Sequence, residues 1–288
     1  MAPMAPIESP PPPGYRRASV LSRFVCLGIL ALLLAFIATE APQLWAEFQA
    51  LRLEQARDRQ SRVVGYEGIH PIVSYAQRPS NWYHHEGEET LLWSGWTPGV
   101  GHGWFRIGRG EIERDRLWGP IGRDVIRAID RPIVEVGSGR CWEAIPPEAT
   151  IAGLEWAGVH CAYPVQVLEK VEVVNDSIRG QPLLVIYLPF APDDHKVQFF
   201  DPEDEGERIS MGLSGYFHDQ KPLLYDRKTE SLWVVRQEGL TAIAGRRKGA
   251  RLRRIGVANL LSWGDWVAHF PRSRLVVGAD RSAGAGAR

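Results

Sequence analysis

The fold of this chain is decided by residues 223–244, LLYDRKTESLWVVRQEGLTAIA. The stretch contains three short runs of apolar, β-branched or aromatic residues, separated by polar residues that are typical of turns. Runs of this kind predict short β-strands with short connections. The C-terminal half repeats the pattern, and its predicted strands are Leu183–Leu188, Val197–Phe200, Ile209–Leu213, Leu223–Tyr225, Leu232–Arg236, Thr241–Ala244 and Arg251–Val257.

Helices are predicted at few positions around these strands. The Ser262 hydroxyl can cap a helix that ends before Pro271. An amphipathic helix is predicted at Gly122–Ile129, and residues 63–139 are otherwise irregular and rich in aromatic side chains. The combination predicts a β-rich α+β domain.

A long apolar segment precedes this domain. Residues 24–39 carry no charged side chain, and residues 20–39 would form about 30 Å of helix, enough to cross the hydrocarbon core of a bilayer. Arg16, Arg17 and Arg23 precede the apolar run, and positive charge resists translocation, so the N-terminus is expected in the cytoplasm. A cleaved signal peptide and a buried helix of a soluble protein remain open as alternatives.

The chain is therefore predicted to have six consecutive parts. They are a disordered cytoplasmic tail (1–19), a transmembrane helix (20–39), a juxtamembrane helix (40–62), an aromatic-rich N-terminal part of the ectodomain (63–143), a β-rich domain (144–280) and a disordered tail (281–288). The expected location is the cell membrane, crossed once, with a periplasmic or extracellular C-terminal domain. The lipid bilayer is the partner that this organisation implies.

Charge and cysteine content limit the possible functions. The 34 basic and 34 acidic side chains balance, so a basic stripe for a phosphate backbone is lacking and nucleic acid is not an expected partner. Cys141 and Cys161 lie outside the apolar segment. In an oxidising compartment they could form a disulfide worth roughly 3 kcal/mol, and two unpaired buried thiols are the equally consistent alternative.

Four motifs resemble functional sites but lack the context that the chemistry requires. They are adjacent histidines without a metal-binding spacing, a glycine-rich stretch without a preceding strand, a serine outside a nucleophile elbow, and an acidic loop without its last calcium ligand. In the same order, the residues are His84-His85-Glu86 with His102, Gly99-x-Gly101-x-Gly103, Ser214 in Gly-Leu-Ser-Gly, and Asp201-x-Glu203-x-Glu205-Gly206. No metal, cofactor or catalytic residue is therefore predicted.

One polar set is a candidate for ligand contact. Asp226, Arg227 and Glu230 stand between two predicted strands, where an arginine–carboxylate ion pair could lock the corner. Alternatively, these side chains could line a cleft and hold a polar ligand together with Asn175 and Asp176. The structural reading is favoured, because polar groups that connect strands more often satisfy backbone than substrate.

Several short blocks between Ala144 and Val277 occur in a recognisable order. They are Ala162-Tyr163-Pro164, Val174-Asn175-Asp176, Gly212-Leu213-Ser214-Gly215, Tyr225-Asp226-Arg227-x-Thr229-Glu230-Ser231-Leu232-Trp233, Ala242-Ile243-Ala244-Gly245 and Ser262-Trp263-x-x-Trp266. In order and spacing they resemble the bacterial family named domain of unknown function 3179. The family carries no established activity, so the resemblance implies membership and no reaction.

The chain departs from the family pattern at four positions. Family members usually have a Tyr-Cys-Pro-x-Cys stretch and a Trp-His pair just ahead of the Asn-Asp block, a set that would suit a soft metal or redox chemistry. Leu188 and Ala191 occupy the cysteine positions here, and Lys170-Val171 occupies the Trp-His position. A thiol–imidazole site is therefore not expected in this chain.

The most consistent function is non-catalytic, as a binding or scaffolding module for an envelope ligand or protein. One alternative is an envelope hydrolase or transferase that uses Asp176, Asp226 or Glu230 as acid–base groups in a shared cleft. Another is a glycan-binding module, which needs several exposed tryptophan faces in a row.

Overall fold

Short β-strands make up most of residues 78–97 and 99–279, which are the residues that the computed structural model describes. The first ten strands are β1 (Tyr83–Glu86), β2 (Glu89–Thr97), β3 (Gly101–Gly108), β4 (Leu117–Trp118), β5 (Pro132–Val136), β6 (Thr150–Trp156), β7 (Val159–Pro164), β8 (Val173–Ile178), β9 (Gln181–Tyr187) and β10 (Val197–Phe200). The others are β11 (Glu203–Asp204), β12 (Glu207–Arg208), β13 (Met211–His218), β14 (Lys221–Asp226), β15 (Leu232–Arg236), β16 (Gly239–Ala244), β17 (Arg251–Leu252), β18 (Arg254–Val257), β19 (Leu260–Ser262) and β20 (Arg274–Ala279). The α-helices are α1 (Arg140–Ala144), α2 (Val165–Val171) and α3 (Trp263–His269).

The strands form four main sheets and a two-stranded hairpin, β11–β12. Their orders are β1-β2-β3, β17-β16-β15-β14-β13-β4, β18-β10-β9-β8 and β19-β6-β7-β20-β5. Neighbouring strands are antiparallel, except that β20 pairs parallel with β7. The domain is therefore β-rich with few helices, as the strand pattern predicts.

Four apolar clusters bind these sheets into layers. One cluster lies between the three-stranded and six-stranded sheets, with Phe105 facing Tyr225. A second lies between the six-stranded and four-stranded sheets and contains the fully buried Trp233. A third joins the four-stranded sheet to the five-stranded sheet and α2, and a fourth packs α1 and α3 on the outer face of the five-stranded sheet. Because each inner sheet is covered on both faces, its strands are apolar on successive residues rather than alternating.

Several predicted elements agree closely with the structure. The strands at Val197–Phe200 and Leu232–Arg236 have the predicted bounds. The predicted helix cap is confirmed, because the Ser262 hydroxyl accepts a hydrogen bond from the Asp265 N–H at the start of α3. These elements depend on local signals, namely β-branched runs and a capping hydroxyl.

The amphipathic helix predicted at Gly122–Ile129 does not form. The segment is irregular, with a turn at Arg123 and Asp124. Its N–H groups donate to neighbouring strands: Asp124 N–H to the Leu213 carbonyl at 2.9 Å, and Ile129 N–H to the Val173 carbonyl at 2.9 Å. Asp124 has a positive φ of 54°. Its backbone partners lie far away in sequence, so local periodicity gave the wrong element.

Two further predictions need correction. Residues 83–108 lie in the irregular region predicted for 63–139, yet they form the three-stranded sheet. In the glycine-rich stretch, Gly99 lies in the β2–β3 turn and Gly101 and Gly103 are at the start of β3. The strand predicted at Arg251–Val257 is two strands, of which β17 joins the six-stranded sheet and β18 the four-stranded sheet.

The predicted transmembrane helix, juxtamembrane helix and terminal tails lie outside the described residues. Within residues 78–97 and 99–279, no helix has the length and apolar character needed to span a bilayer.

Candidate functional site

Asn175, on β8, connects two layers of the domain. Its side-chain Nδ2 donates to the Met211 carbonyl at 2.8 Å, and its Oδ1 accepts from the Met211 N–H at 2.8 Å. The same Nδ2 donates to Asp130 Oδ1 at 2.7 Å. The Asn175 amide thus pairs with the Met211 backbone as a neighbouring strand would, and both its nitrogen and its oxygen are hydrogen-bonded. The third hydrogen bond orients Asp130.

Asp176, the next residue, forms a separate buried network. Arg274 donates to both of its carboxylate oxygens, at 2.6 and 2.8 Å, and the Tyr163 hydroxyl donates at 2.8 Å. Asp176 is 1 % exposed and the Arg274 side chain 13 %. Burial alone would lower the pKa of Arg274, but the hydrogen bonds and charge of Asp176 raise it above its usual value. Burial, reinforced by the charge of Asp176, raises the pKa of Tyr163 well above normal.

Asp226 locks the turn between β14 and β15. Its carboxylate accepts from the Thr229 N–H and hydroxyl, both at 2.6 Å, and from Trp233 Nε1 at 3.1 Å. Asp226 is 1 % exposed. The carboxylate therefore faces inward and holds its own turn, which leaves it no free oxygen on the surface.

Arg227 points the other way and contacts the irregular segment 122–130. Its guanidinium donates to Asp124 Oδ2 at 3.0 Å and to the Tyr225 hydroxyl at 3.1 Å, and it lies 3.3 Å from Asp130 Oδ2. The Arg227 side chain is 32 % exposed and that of Asp130 51 %. Burial by itself would lower the pKa of Arg227, but the charge of Asp124 contributes most to raising it.

The ion pair expected among Asp226, Arg227 and Glu230 is not present. Arg227 pairs with Asp124 and Asp130, and Glu230 pairs instead with Arg123. Asp226 is directed inward by its hydrogen bonds to the turn, so the arginine on the next residue faces the opposite side. The corner is still locked, although by a carboxylate-to-turn network rather than by a salt bridge.

Two glycines of β13 make room for this arrangement. A Cβ on Gly212 would lie 2.7 Å from Asp124 Oδ1 and 2.6 Å from the Tyr225 ring. A Cβ on Gly215, where φ is 84°, would overlap the backbone of Gly122. The close approach of segment 122–130 to β13 therefore requires glycine at both positions.

The result is one surface site and two interior networks. Asn175 and Arg227 meet in the surface site through Asp130, whereas Asp176 and Asp226 belong to the interior networks. Asp124, Asp130 and Arg123 were missed by sequence reasoning, because they lie about a hundred residues from Arg227 and Glu230 in a segment with a helical pattern. Charges of both signs stand side by side at the surface, a pattern suited to a polar ligand with separated charges.

The cysteines are free in the structure. Cys141 is exposed on α1, and Cys161 is fully buried on β7 in the cluster between the four-stranded and five-stranded sheets. The disulfide alternative is therefore not realised, and one of the two thiols is not buried as the other alternative supposed. Burial raises the pKa of Cys161 to about 12, and burial followed by the charge of Glu135 raises that of Cys141.

The histidine and serine motifs have local partners. His84 contacts the Asn81 carbonyl, whereas His85 contacts the Thr90 hydroxyl. Trp93 Nε1 donates to His102 Nδ1 at 3.0 Å. The Ser214 side chain is fully buried and donates to the Leu223 carbonyl. Within the described ranges, no group of three or more His, Cys, Asp or Glu residues is placed to hold a metal ion.

Three of the four positions where the chain departs from the family pattern lie in or against the apolar interior. Leu188 is buried between the six-stranded and four-stranded sheets, and Ala191 packs against the same cluster. Val171 is buried at the end of α2, in the cluster on the opposite face of the four-stranded sheet. These side chains fill space and provide no ligand atoms.

Fold and site together define a layered β-sheet domain in which Asn175 of β8 connects two sheets and Arg227, after β14, contacts segment 122–130. A model of the family described as "Protein of unknown function (DUF3179)" matches residues 123–285, more than half of the chain. The chain belongs to this family. The matched segment includes Arg123, Asp124 and Asp130 of the surface site. No curated protein and no solved structure matches the chain.

Proposed function

We propose that this protein is a membrane-anchored binding module of the cell envelope, with residues 20–39 as the anchor and the β-rich domain outside the cytoplasm. The apolar run and the arginines before it support the topology. The domain acts by binding rather than by catalysis, and its binding face is the surface site around Arg227 and Asp130.

One observation carries this proposal: the site presents charges of both signs on a rigid support. The Asp130 side chain is half exposed, with its Oδ2 near Arg227. Its Oδ1 accepts a hydrogen bond from the buried Asn175 amide. Arg227 is one-third exposed and is held by Asp124 and the buried Tyr225. Groups fixed in this way lose little conformational freedom when a ligand arrives. A ligand that carries an ammonium and a carboxylate, such as a short peptide with free termini, matches this charge pattern.

The two alternative functions have less support. Asp176 and Asp226 are each 1 % exposed and hold several internal hydrogen bonds, so neither is available to exchange a proton with a substrate in its present position. Glu230 is at the surface and paired with Arg123, so the three residues do not supply two accessible carboxylates for a shared cleft. Every tryptophan that the structure describes is buried or half-buried. A row of exposed aromatic faces, which the glycan-binding alternative requires, is thus lacking in that part of the chain.

Protease treatment of intact cells and of spheroplasts tests the topology. If the domain lies outside the cytoplasm, protease added to spheroplasts releases a fragment that contains residues 78–279. Lysed cells serve as the control for intrinsic susceptibility. Protection of the domain in spheroplasts together with cleavage after lysis would place it in the cytoplasm and refute the topology.

Titration of the purified full-length protein in mild detergent with the dipeptide alanyl-alanine tests the binding site. Asp130→Asn removes a charge but keeps an oxygen that can accept from Asn175, so the fold should be retained. Loss of one charge-assisted contact, worth about 1.5–3 kcal/mol, should weaken binding at least tenfold. The matched control is Asp194→Asn at a side chain that is 76 % exposed. Equal affinities in wild type and Asp130→Asn, or no binding at all, would contradict the assigned ligand class.

A further inference from the structure

The hairpin formed by β2 and β3 ends in a tip without charged side chains. Residues 90–105 contain no Asp, Glu, Lys or Arg, and five of them are glycine or proline. Val100, in the turn, is 83 % exposed, more than any other large apolar side chain that the structure describes. A single exposed valine is normal on a protein surface, so its meaning depends on the side chains around it.

Two tryptophans accompany Val100 at the tip. Trp96 pairs with His102, and Trp104 is two residues further along β3, so both indole rings lie on the same face of the hairpin. Both tryptophans are half-buried. Phe105 points to the opposite face, where it packs toward the six-stranded sheet. Tryptophan beside an exposed aliphatic side chain is typical of the boundary between water and lipid, because the indole has an apolar body and a polar N–H.

The other end of the same sheet is charged. β2 is nine residues long, which places its two ends about 27 Å apart. The exposed charged side chains at the end remote from the tip are Glu86, Glu88, Glu89, Arg106 and Arg109. Charged groups stay in water, whereas an uncharged tip can enter the headgroup region of a bilayer. The distribution of charge therefore gives the sheet one end suited to lipid and one suited to water.

The direction of the chain also points to a bilayer at the tip. β1 begins at Tyr83, opposite Leu92, and runs away from the tip. Just before β1, the Trp82 carbonyl accepts from the Trp93 N–H at 2.8 Å. The chain therefore enters the three-stranded sheet from the side of the tip. The predicted membrane anchor, residues 20–39, precedes this entry point in the sequence.

We propose that the β2–β3 tip docks on the bilayer that holds the anchor, with Val100 at the headgroup–acyl boundary and the indoles of Trp96 and Trp104 beside it. The inference rests on the membrane anchoring proposed above. Because the anchor keeps the domain at a high effective concentration near the lipid, burial of a few apolar side chains suffices for this contact. Docking also holds segment 122–130 near the bilayer, because the Arg123 N–H donates to the Ser94 carbonyl of β2 at 2.7 Å.

A fluorescent probe on the full-length protein in phosphatidylcholine vesicles tests the contact. An NBD group is attached through Thr97→Cys, an exposed position at the end of β2, with Cys26→Ser and Cys141→Ser to prevent labelling elsewhere. Cys161 is fully buried and needs no change. Emission at residue 97 should shift to the blue and be quenched by nitroxide-labelled phosphatidylcholine. The same probe on Glu88→Cys, at the charged end of the sheet, should show neither effect.

Matched substitutions of exposed valines test the apolar contact itself. Val100→Asp should lower the ratio of docked to undocked domain on the order of tenfold or more, because burial of one valine side chain is lost and a charge is added. The control is Val136→Asp on β5, where the valine is 61 % exposed, and it should leave the quenching at residue 97 unchanged.

Flotation of the vesicles separates failure of docking from failure of anchoring. Protein that floats with the vesicles but shows no quenching at residue 97, or equal quenching in wild type and Val100→Asp, would overturn docking and leave anchoring in place. A blue shift without nitroxide quenching would indicate a protein contact instead of lipid and would also overturn docking. Protein that does not float would refute the anchoring, and docking with it.

Discussion

Replacing Asp176 by asparagine should destabilise the domain by about 3–5 kcal/mol, the range measured when one partner of a buried ion pair is removed. The carboxylate accepts from Arg274 twice, from the Tyr163 hydroxyl and from the Ser177 N–H. An asparagine NH2 group cannot accept, so it would face the guanidinium or the phenol as a second donor. The Arg274 charge would then be buried without its counterion.

Urea unfolding of the full-length protein in detergent, followed by tryptophan fluorescence, measures this loss. With a slope of about 2–3 kcal/mol per molar urea for a domain of this size, the midpoint should fall by about 1–2 M. Asp194→Asn makes the same chemical change at an exposed side chain and should stay within about 0.5 kcal/mol of wild type.

A double substitution distinguishes the buried charge from simple loss of packing. Asp176→Leu combined with Arg274→Met removes both charges, so it should be less destabilising than Asp176→Leu alone. If Asp176→Asn costs less than about 1 kcal/mol, or if the double variant shows the sum of the two single losses, the network is not the structural element described above. Asp176 would then again be a candidate for ligand contact.

Three further predictions concern packing, thiol reactivity and pH. Gly215→Ala should lower the unfolding free energy by about 2–4 kcal/mol in urea, because the new methyl group would overlap the Gly122 backbone at a positive φ. Maleimide should label Cys141 in the native protein and reach Cys161 only after denaturation, as mass spectrometry of the peptides would show; early labelling of Cys161 would contradict its burial. Burial raises the pKa of Glu172 from 4.5 to about 7, so the folded state binds its proton more tightly, and stability is full below pH 4.5 and falls as the pH rises to about 7. Wild type should therefore lose about 3 kcal/mol more than Glu172→Gln between pH 4.5 and 8, and parallel curves would refute this.

Sequence reasoning located part of the candidate site. Arg227 stands between two predicted strands, and Asn175 is the residue predicted to hold a ligand together with it; both belong to the surface site. Asp130 and Asp124 were not found, because nothing in their own segment indicates that its backbone bonds to β13 and β8. A contact between residues a hundred positions apart leaves no periodic signal in either one.

Local signals were sufficient for family membership, for most strands of the C-terminal half and for the capped helix α3. Each depends on interactions within a few residues, such as a β-branched run or a hydroxyl three residues from the N–H that it caps. The membrane anchor is likewise a prediction from local composition alone.

Tertiary structure decided everything that depends on partners distant in the chain. It made residues 122–129 irregular instead of helical and divided 251–257 between two sheets. It also buried Asp176 and Asp226 while leaving Asp130 and Arg227 at the surface. The physical reason is that a backbone N–H or a carboxylate bonds to whichever group the fold brings near it. In a stack of sheets, that group usually belongs to another strand.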